Sequence, residues 1–242
     1  MRARLVLTIA ALGAASLIAG CATQSGGGAG TPTASPTPAD NGVAALSANE
    51  ILQKATTALK DQESIHMKGA GKEDGEAVEI DLKIKGDDVA GTVAAQGLTL
   101  EIVRVGADAY LKADKLWETL LAANPTALNL LKGKFLKFPA TDPRFKEFTN
   151  FSNPEEILKP EGTVTKGATK TVNGKPAIGL TDDAKEKSTV WISTVGDPVP
   201  LRIEEDGTGN AVDFTYDEAI TITAPATTEV IDITKVPNLP GF

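Results

Sequence analysis

The sequence predicts an α+β protein, with one large antiparallel sheet and helices laid on one of its faces. Strict alternation carries the first half of that expectation. Val78, Ile80, Leu82 and Ile84 alternate with Glu79, Asp81, Lys83 and Lys85, which gives a strand with one apolar and one charged side. Tight-turn signals between short strand-like runs, such as Asn173-Gly174, favour hairpins over long parallel crossovers. Helical periodicity is confined to a stretch before the strands and to the middle of the chain, so helices and strands are segregated.

The chain begins with a processing signal. Arg2 and Arg4 precede an almost wholly apolar run from Leu5 to Ile18, followed by Ala19, Gly20 and Cys21. Basic, apolar and small residues in that order mark a secretory signal rather than a fold element. The apolar run is shorter than the roughly 20 residues that a helical span needs. The small pair stands directly before the only cysteine of the chain. This resembles a lipobox, in which the thiol is diacylated and cleavage makes the cysteine the new N-terminus. An ordinary signal peptide with an incidental cysteine is the plainer alternative. Each buried methylene is worth about 0.8 kcal/mol, and two acyl chains hold where one holds marginally. The expectation is a signal peptide over residues 1–20, lipid attachment at Cys21, and an extracytoplasmic chain anchored to the outer face of the plasma membrane.

Composition narrows the function classes. The full chain carries a net charge of −8, and loss of Arg2 and Arg4 with the signal brings it to −10. An acidic chain without a basic tract is a poor partner for nucleic acid. It also gains nothing from an anionic membrane as a whole, which suits anchoring by covalent lipid. With Cys21 acylated no thiol remains for a disulfide or a cysteine zinc site. Aromatics make up only 5 % of the chain; small inward residues fill space poorly and permit a cavity.

Residues 21–45 are rich in Thr, Gly, Ser, Pro and Ala, too poor in apolar surface to offset their ordering entropy. They are expected to form a tether with an r.m.s. reach of roughly 25–30 Å. The folded domain is expected over residues 46–236, with a tail at 237–242. Ser47-Ala48-Asn49-Glu50 has the form of a capping box, and Ala48, Ile51, Leu52, Ala55 and Leu59 follow at helical spacing, giving a helix over 48–61. Strands then follow around Val78–Ile84, Val89–Ala95, Leu98–Val105 and Ala109–Lys112. Asp114 is placed to cap a helix through Leu116, Trp117, Leu120 and Leu121. Asn124-Pro125 breaks it, and Leu128, Leu130 and Leu131 form another short turn. Phe135–Phe138 reads as a strand, and 139–160 as loops and short helices carrying Phe145, Phe148, Phe151, Ile157 and Leu158. Strands return at Thr163–Lys166, Ala177–Thr181, Thr189–Thr194, Pro200–Glu204 and Val212–Tyr216, with regular structure ending near Ala224-Pro225.

A family resemblance emerges from the order of several short patterns. They are Ser64–Met67, Gly106–Lys112 with its Tyr-Leu-Lys, Lys170–Ala177 (Lys-Thr-Val-Asn-Gly-Lys-Pro-Ala), and Val195–Ile203 (Val-Gly-Asp-Pro-Val-Pro-Leu-Arg-Ile). Together with the lipobox-like start they resemble the actinobacterial LppX/LprA/LprF/LprG lipoproteins, which share a fold with the LolA carrier. The resemblance covers roughly residues 45–235. It implies a half-open barrel whose curved sheet holds helices on its concave face around an apolar pocket. It further implies an acylated lipid or glycolipid ligand, a role in carrying it across the envelope, and a possible envelope transporter as partner. It implies no cofactor, and only Cys21 carries over residue by residue.

The expected pocket wall is Val78, Ile80, Leu82 and Ile84 from one strand and Leu98, Leu100 and Ile102 from the next. Leu116, Leu120, Leu121, Leu128 and Leu131 are expected as a helical lid over it. For any one of these residues, ordinary core packing is the plainer role. An enzyme is not expected. His66 is the single histidine and reads as a half-exposed strand residue. No Gly-x-Ser-x-Gly elbow and no His-Glu-x-x-His is present. Asp87-Asp88, Glu155-Glu156 and Glu204-Glu205-Asp206 read as solvated turns, and Asp206–Asn210 as a hairpin turn rather than a calcium loop. Three functions compete: an acyl-lipid carrier, a filled-core interaction lipoprotein, and a carboxylate-based envelope hydrolase.

Overall fold

The computed structural model describes residues 39–73, 75–143, 153–184 and 187–235. The signal peptide, Cys21, most of the tether, the tail at 237–242, and Phe145, Phe148 and Phe151 lie outside the described residues.

After a 3-10 turn at Val43–Ala45, α1 runs over Ala48–Lys60. Ser47 and Glu50 close the capping box: the Glu50 carboxylate accepts from Ser47 N at 2.9 Å, and Ser47 Oγ accepts from Glu50 N at 3.4 Å. Five strands follow: β1 Ile65–Glu73, β2 Glu76–Lys85, β3 Asp88–Ala95, β4 Leu98–Val105 and β5 Asp108–Lys112. Two short helices come next, α2 Asp114–Leu120 and α3 Pro125–Leu131, and then β6 Phe135–Pro139 and the single-turn α4 Pro154–Ile157. The last group is β7 Val164–Val172, β8 Lys175–Asp182, β9 Ser188–Ser193, β10 Pro200–Glu205, β11 Ala211–Tyr216 and β12 Val230–Asp232.

The twelve strands among the described residues form one sheet in the order β12-β6-β5-β4-β3-β2-β1-β11-β10-β9-β8-β7. The sheet is curved and does not close, which makes it the expected half-open barrel. Every pairing is antiparallel except that of β12 with β6. That parallel pair corrects the expectation that regular structure ends at Ala224-Pro225. The chain leaves β11, crosses outside the sheet, and re-enters at its far edge. Ser64 Oγ donates to Glu218 O, Lys85 Nζ to Ile220 O and Lys134 Nζ to Thr228 O along this strap. Ile222 and Val230 cover Val103, Tyr110 and Phe135 on the outer face. β7 is also longer than its sequence pattern suggested, because Thr and Lys at an exposed sheet edge alternate without an apolar side.

The strand turns define two rims. The upper rim holds the turns after β2, β4, β7 and β9 and the start of β1; the lower rim holds those after β1, β3, β8 and β10. The described chain begins at the upper rim, where Asp40 bridges Val195 and Asn41 Nδ2 donates to the Ser193 and Gly196 carbonyls. The α2–α3 hairpin belongs to the lower rim: it leaves β5 and returns to β6 there, and Lys115 Nζ donates to Gly97 O in the turn after β3. Asp114 is not the helix cap; Ala113 holds that position, and the Asp114 carboxylate instead accepts from Gly133 N at 2.9 Å, closing the hairpin base.

One apolar cluster fills the inner face from Leu136 and Phe138 of β6 to Ile178 and Leu180 of β8. Those strands are nine places apart in the sheet order, about 43 Å if the sheet were flat. Curvature wraps this face around Ile51, Ala55 and Leu59 of α1 and Trp117, Ala127 and Leu131 of the hairpin. Gly91 helps at the centre: a Cβ there would stand 2.0 Å from the Asp81 carbonyl oxygen, so only glycine allows the close approach of β3 to β2.

Candidate functional site

At the upper rim the C-terminal end of α1 meets the start of β1 and the end of β2. Leu59, Lys60, Gln62, Ile65, Ile84, Gly86 and Asp87 line a mouth of about 310 Å³ there. Its floor is apolar, since Leu59, Ile65 and Ile84 are buried members of the inner cluster, and its rim is polar. The concavity lies over the upper edge of the inner apolar cluster. The amphipathic spacing that buries Ile51, Ala55 and Leu59 turns the other side of α1 outward. That side forms, with Asp197 and Pro198, a broader polar groove of about 570 Å³. The helix therefore lies between two concavities, with Gln62 bordering both.

The sequence-predicted wall residues distribute as follows. Ile80, Leu82, Ile84, Ile102, Leu121 and Leu131 are buried in the inner cluster, and Leu100, Leu116 and Leu128 pack partly buried against it. Val78 is buried outside that cluster, and Leu98 is half-buried near the lower rim. Only Ile84 borders the mouth. Leu120 is placed otherwise: α2 buries Trp117 and the following Leu121, which leaves Leu120 58 % exposed. Leu59 and Ile65 of the mouth were not among the expected wall residues. The helical spacing of Leu59 gave its burial, but nothing local to α1 or β1 showed that the two would meet.

The outer face is ionic. Arg202 binds Asp213 through Nε–Oδ1 at 2.7 Å and Nη2–Oδ2 at 2.8 Å, Lys68 reaches Asp81 at 3.0 Å, and Lys112 reaches Glu101 at 3.1 Å. Each pair joins residues directly opposite on neighbouring strands. Trp191 lies against Gly179, where a Cβ would stand 3.1 Å from the ring, with Lys170 Nζ 3.9 Å from the ring centroid and Glu204 accepting from Nε1 at 2.8 Å. These contacts tie β7 to β11 from outside.

His66 belongs to this outer network. Nε2 lies 2.8 Å from Asp81 Oδ1 and Nδ1 lies 3.2 Å from Glu218 Oε2. A carboxylate oxygen thus stands within hydrogen-bond distance of each ring nitrogen. Burial pushes the Asp81 carboxyl up, but hydrogen bonds and charge from His66 and Lys68 outweigh it and hold it below its ordinary value. The Glu218 carboxyl is held low chiefly by the Thr215 hydroxyl.

In the acidic runs Asp88, Glu205 and Asp206 are engaged in hydrogen bonds, while Asp87 is exposed at the mouth. Asp88 Oδ1 accepts from Gly106 N, Glu205 Oε2 from Asn210 Nδ2, and Asp206 Oδ1 from the Thr189 hydroxyl. Glu205 braces the Asp206–Asn210 turn from its own strand end, and Thr189 of β9 holds it from the neighbouring strand. Glu156 pairs with Lys159 at 3.4 Å, and the Glu155 side chain lies outside the described residues. Among the described residues no group of three or more His, Cys, Asp or Glu could hold a metal ion. Among the described residues, the carboxyls of Glu50, Asp81, Glu204, Asp213, Glu218 and Asp232 are held below their ordinary values. No described helix is long and apolar enough to cross a membrane.

No protein-family model matches the sequence, and no curated protein does. Solved structures similar in fold include LprF from Mycobacterium bovis, at 15 % identity and TM-score 0.45, with 74 % of this chain and 97 % of that one covered. They also include the Mycobacterium tuberculosis lipoprotein LppX, at 14 % identity and TM-score 0.39, covering 73 % and 98 %. A third is an uncharacterized conserved protein from Thermus thermophilus, at 12 % identity and TM-score 0.43, covering 76 % and 98 %. LprF and LppX are both among the names of the group that the residue patterns resemble.

Proposed function

We propose that this chain is a lipid-anchored envelope protein that binds the acyl chains of a lipid or glycolipid between α1 and the inner face of the sheet, and carries that lipid within the envelope. The observation that supports it best is the mouth at Leu59, Ile65 and Ile84, whose floor belongs to an apolar cluster that extends from β6 to β8. Its volume of about 310 Å³ is at the lower end of the range of roughly 300–1,000 Å³ for small-molecule sites. An acyl chain would enter beside the α1 terminus, and deeper insertion would move α1 outward toward the polar groove behind it. Burying apolar chain length at about 25 cal/mol per Å² supplies the driving force, while Lys60, Gln62 and Asp87 keep the headgroup at the polar rim. Cys21, with its lipobox-like context, would hold the domain at the membrane.

The test is native mass spectrometry of the Cys21→Ser chain secreted from an actinobacterial host, with organic extraction in parallel. A reproducible added mass that extracts as an acyl lipid is expected. A chain that carries no lipid and takes up none from a panel of acylated lipids would overturn the proposal. It would favour the filled-core interaction protein instead.

A further inference from the structure

The large hydrophobic side chains left exposed among the described residues are Leu120, 58 % exposed, and Leu130, 47 % exposed. Both belong to the α2–α3 hairpin at the lower rim, the end of the sheet opposite the one where the described chain begins. Ala122, Ala123 and Pro125 between them are exposed as well. The hairpin also departs from the chain in charge. From Asp114 to Lys134 it carries Lys115, Lys132 and Lys134 against Asp114 and Glu118, whereas the whole chain is at −8. Lys115 Nζ and Lys134 Nζ donate to the Gly97 and Thr228 carbonyls, so what this end offers to the headgroup–acyl boundary of a bilayer is its exposed leucines, with Lys132 two residues from Leu130.

We infer that the α2–α3 hairpin docks on the phospholipid bilayer through Leu120 and Leu130, so that the domain stands on its lower rim with the mouth facing away from the membrane. The inference rests on the anchoring of Cys21 proposed above, and the chain has the length for it. The lower rim lies one strand length from the tether attachment at Asp40, about 33 Å for the ten residues of β2. The nineteen residues from Cys21 to Ala39 span up to about 60 Å when extended. The anchor therefore allows the end of the domain farthest from it to touch the bilayer. Partial burial of two leucines adds only a weak attachment, which fits docking that forms and releases while the covalent lipid holds.

The test uses the mature lipidated chain in vesicles of phosphatidylcholine and phosphatidylglycerol containing nitroxide-labelled lipid. Cys21 is the single cysteine of the chain, and with it acylated under the anchoring proposed above, an introduced cysteine is the only free thiol. A fluorophore on Asn129→Cys, at the hairpin, is expected to be quenched strongly, and one on Asp197→Cys, at the upper rim, weakly. Leu120→Gln with Leu130→Gln is expected to remove most of the quenching at 129 while flotation with the vesicles persists. Deleting residues 24–35 leaves seven residues before Asp40, about 25 Å at full stretch, and is expected to have the same effect with both leucines intact. Equal quenching at the two sites, or quenching at 129 that survives both changes, overturns the docking. Concentration-dependent self-association abolished by the leucine changes, without quenching, overturns it in favour of a second copy of the chain. Failure to float overturns the anchoring, and the docking with it. None of these readouts needs a lipid in the mouth, so they separate this inference from the carrier proposal.

Discussion

Arg202 and Asp213 face each other across β10 and β11 and are joined by two parallel hydrogen bonds, at 2.7 and 2.8 Å. The Arg202 guanidinium holds the Asp213 carboxyl below its ordinary value, against a smaller upward push from burial. A carboxyl whose folded pKa lies below its unfolded one contributes stability above the unfolded value, near 3.8, and loses it as pH falls through the folded value. The melting temperature is therefore expected to be flat from about pH 5 to 8 and to fall below about pH 4. Asp213 is 38 % exposed, so Asp213→Asn should cost roughly 0.5–1 kcal/mol at pH 7 after solvent screening. That corresponds to about 1–4 °C, and the difference from the wild-type chain should shrink at pH 3. Thermal melts of both chains at the two pH values check this.

Leu82→Ala removes a fully buried side chain from the centre of the inner cluster. It is expected to cost about 2–5 kcal/mol. Leu120→Ala, on an exposed helix position, should stay within about 0.5 kcal/mol of the wild-type chain. Denaturant titrations of the two variants provide the comparison, and equal losses would contradict the placement of α2.

Gln62 borders the mouth without belonging to the apolar cluster. Gln62→Trp should close the opening while leaving Leu59, Ile65 and Ile84 in place. Lower uptake of a fluorescent acyl lipid with an unchanged melting temperature is the expected outcome. Unchanged uptake would place the route elsewhere.

Cys21→Ser should release the secreted chain from the membrane fraction into the medium. Fractionation of cells expressing each form measures it. Continued membrane association of the serine form would point to an uncleaved signal as the anchor.

Much of the fold was legible because its determinants are local. Alternation in Val78–Ile84 fixed both a strand and its buried side, Ser47 and Glu50 marked a helix start, and Asn173-Gly174 marked a hairpin. The signals failed where a distant partner decides the outcome. β12 has three residues and exists because β6 offers it an edge; nothing in Val230–Asp232 says so. Leu120 and Leu121 are indistinguishable by composition, and Trp117 on the same helix decides which of them turns inward. The mouth was illegible for the same reason, since it arises where the end of α1 meets two strands that follow it in the chain. His66 looked bland from its neighbours, and its two carboxylate partners come from β2 and from the segment after β11.

Photo-crosslinking of the Cys21→Ser chain with a diazirine-bearing fatty acid, followed by mapping of the labelled peptides, tests most directly whether an acyl chain lies between α1 and the sheet. Labelling is expected on the peptides containing Leu59, Ile65 and Ile84, and it should be competed by unlabelled acyl lipid. Labelling confined to the outer face or to the α2–α3 hairpin, or labelling that unlabelled lipid does not compete, would contradict an acyl site at the mouth.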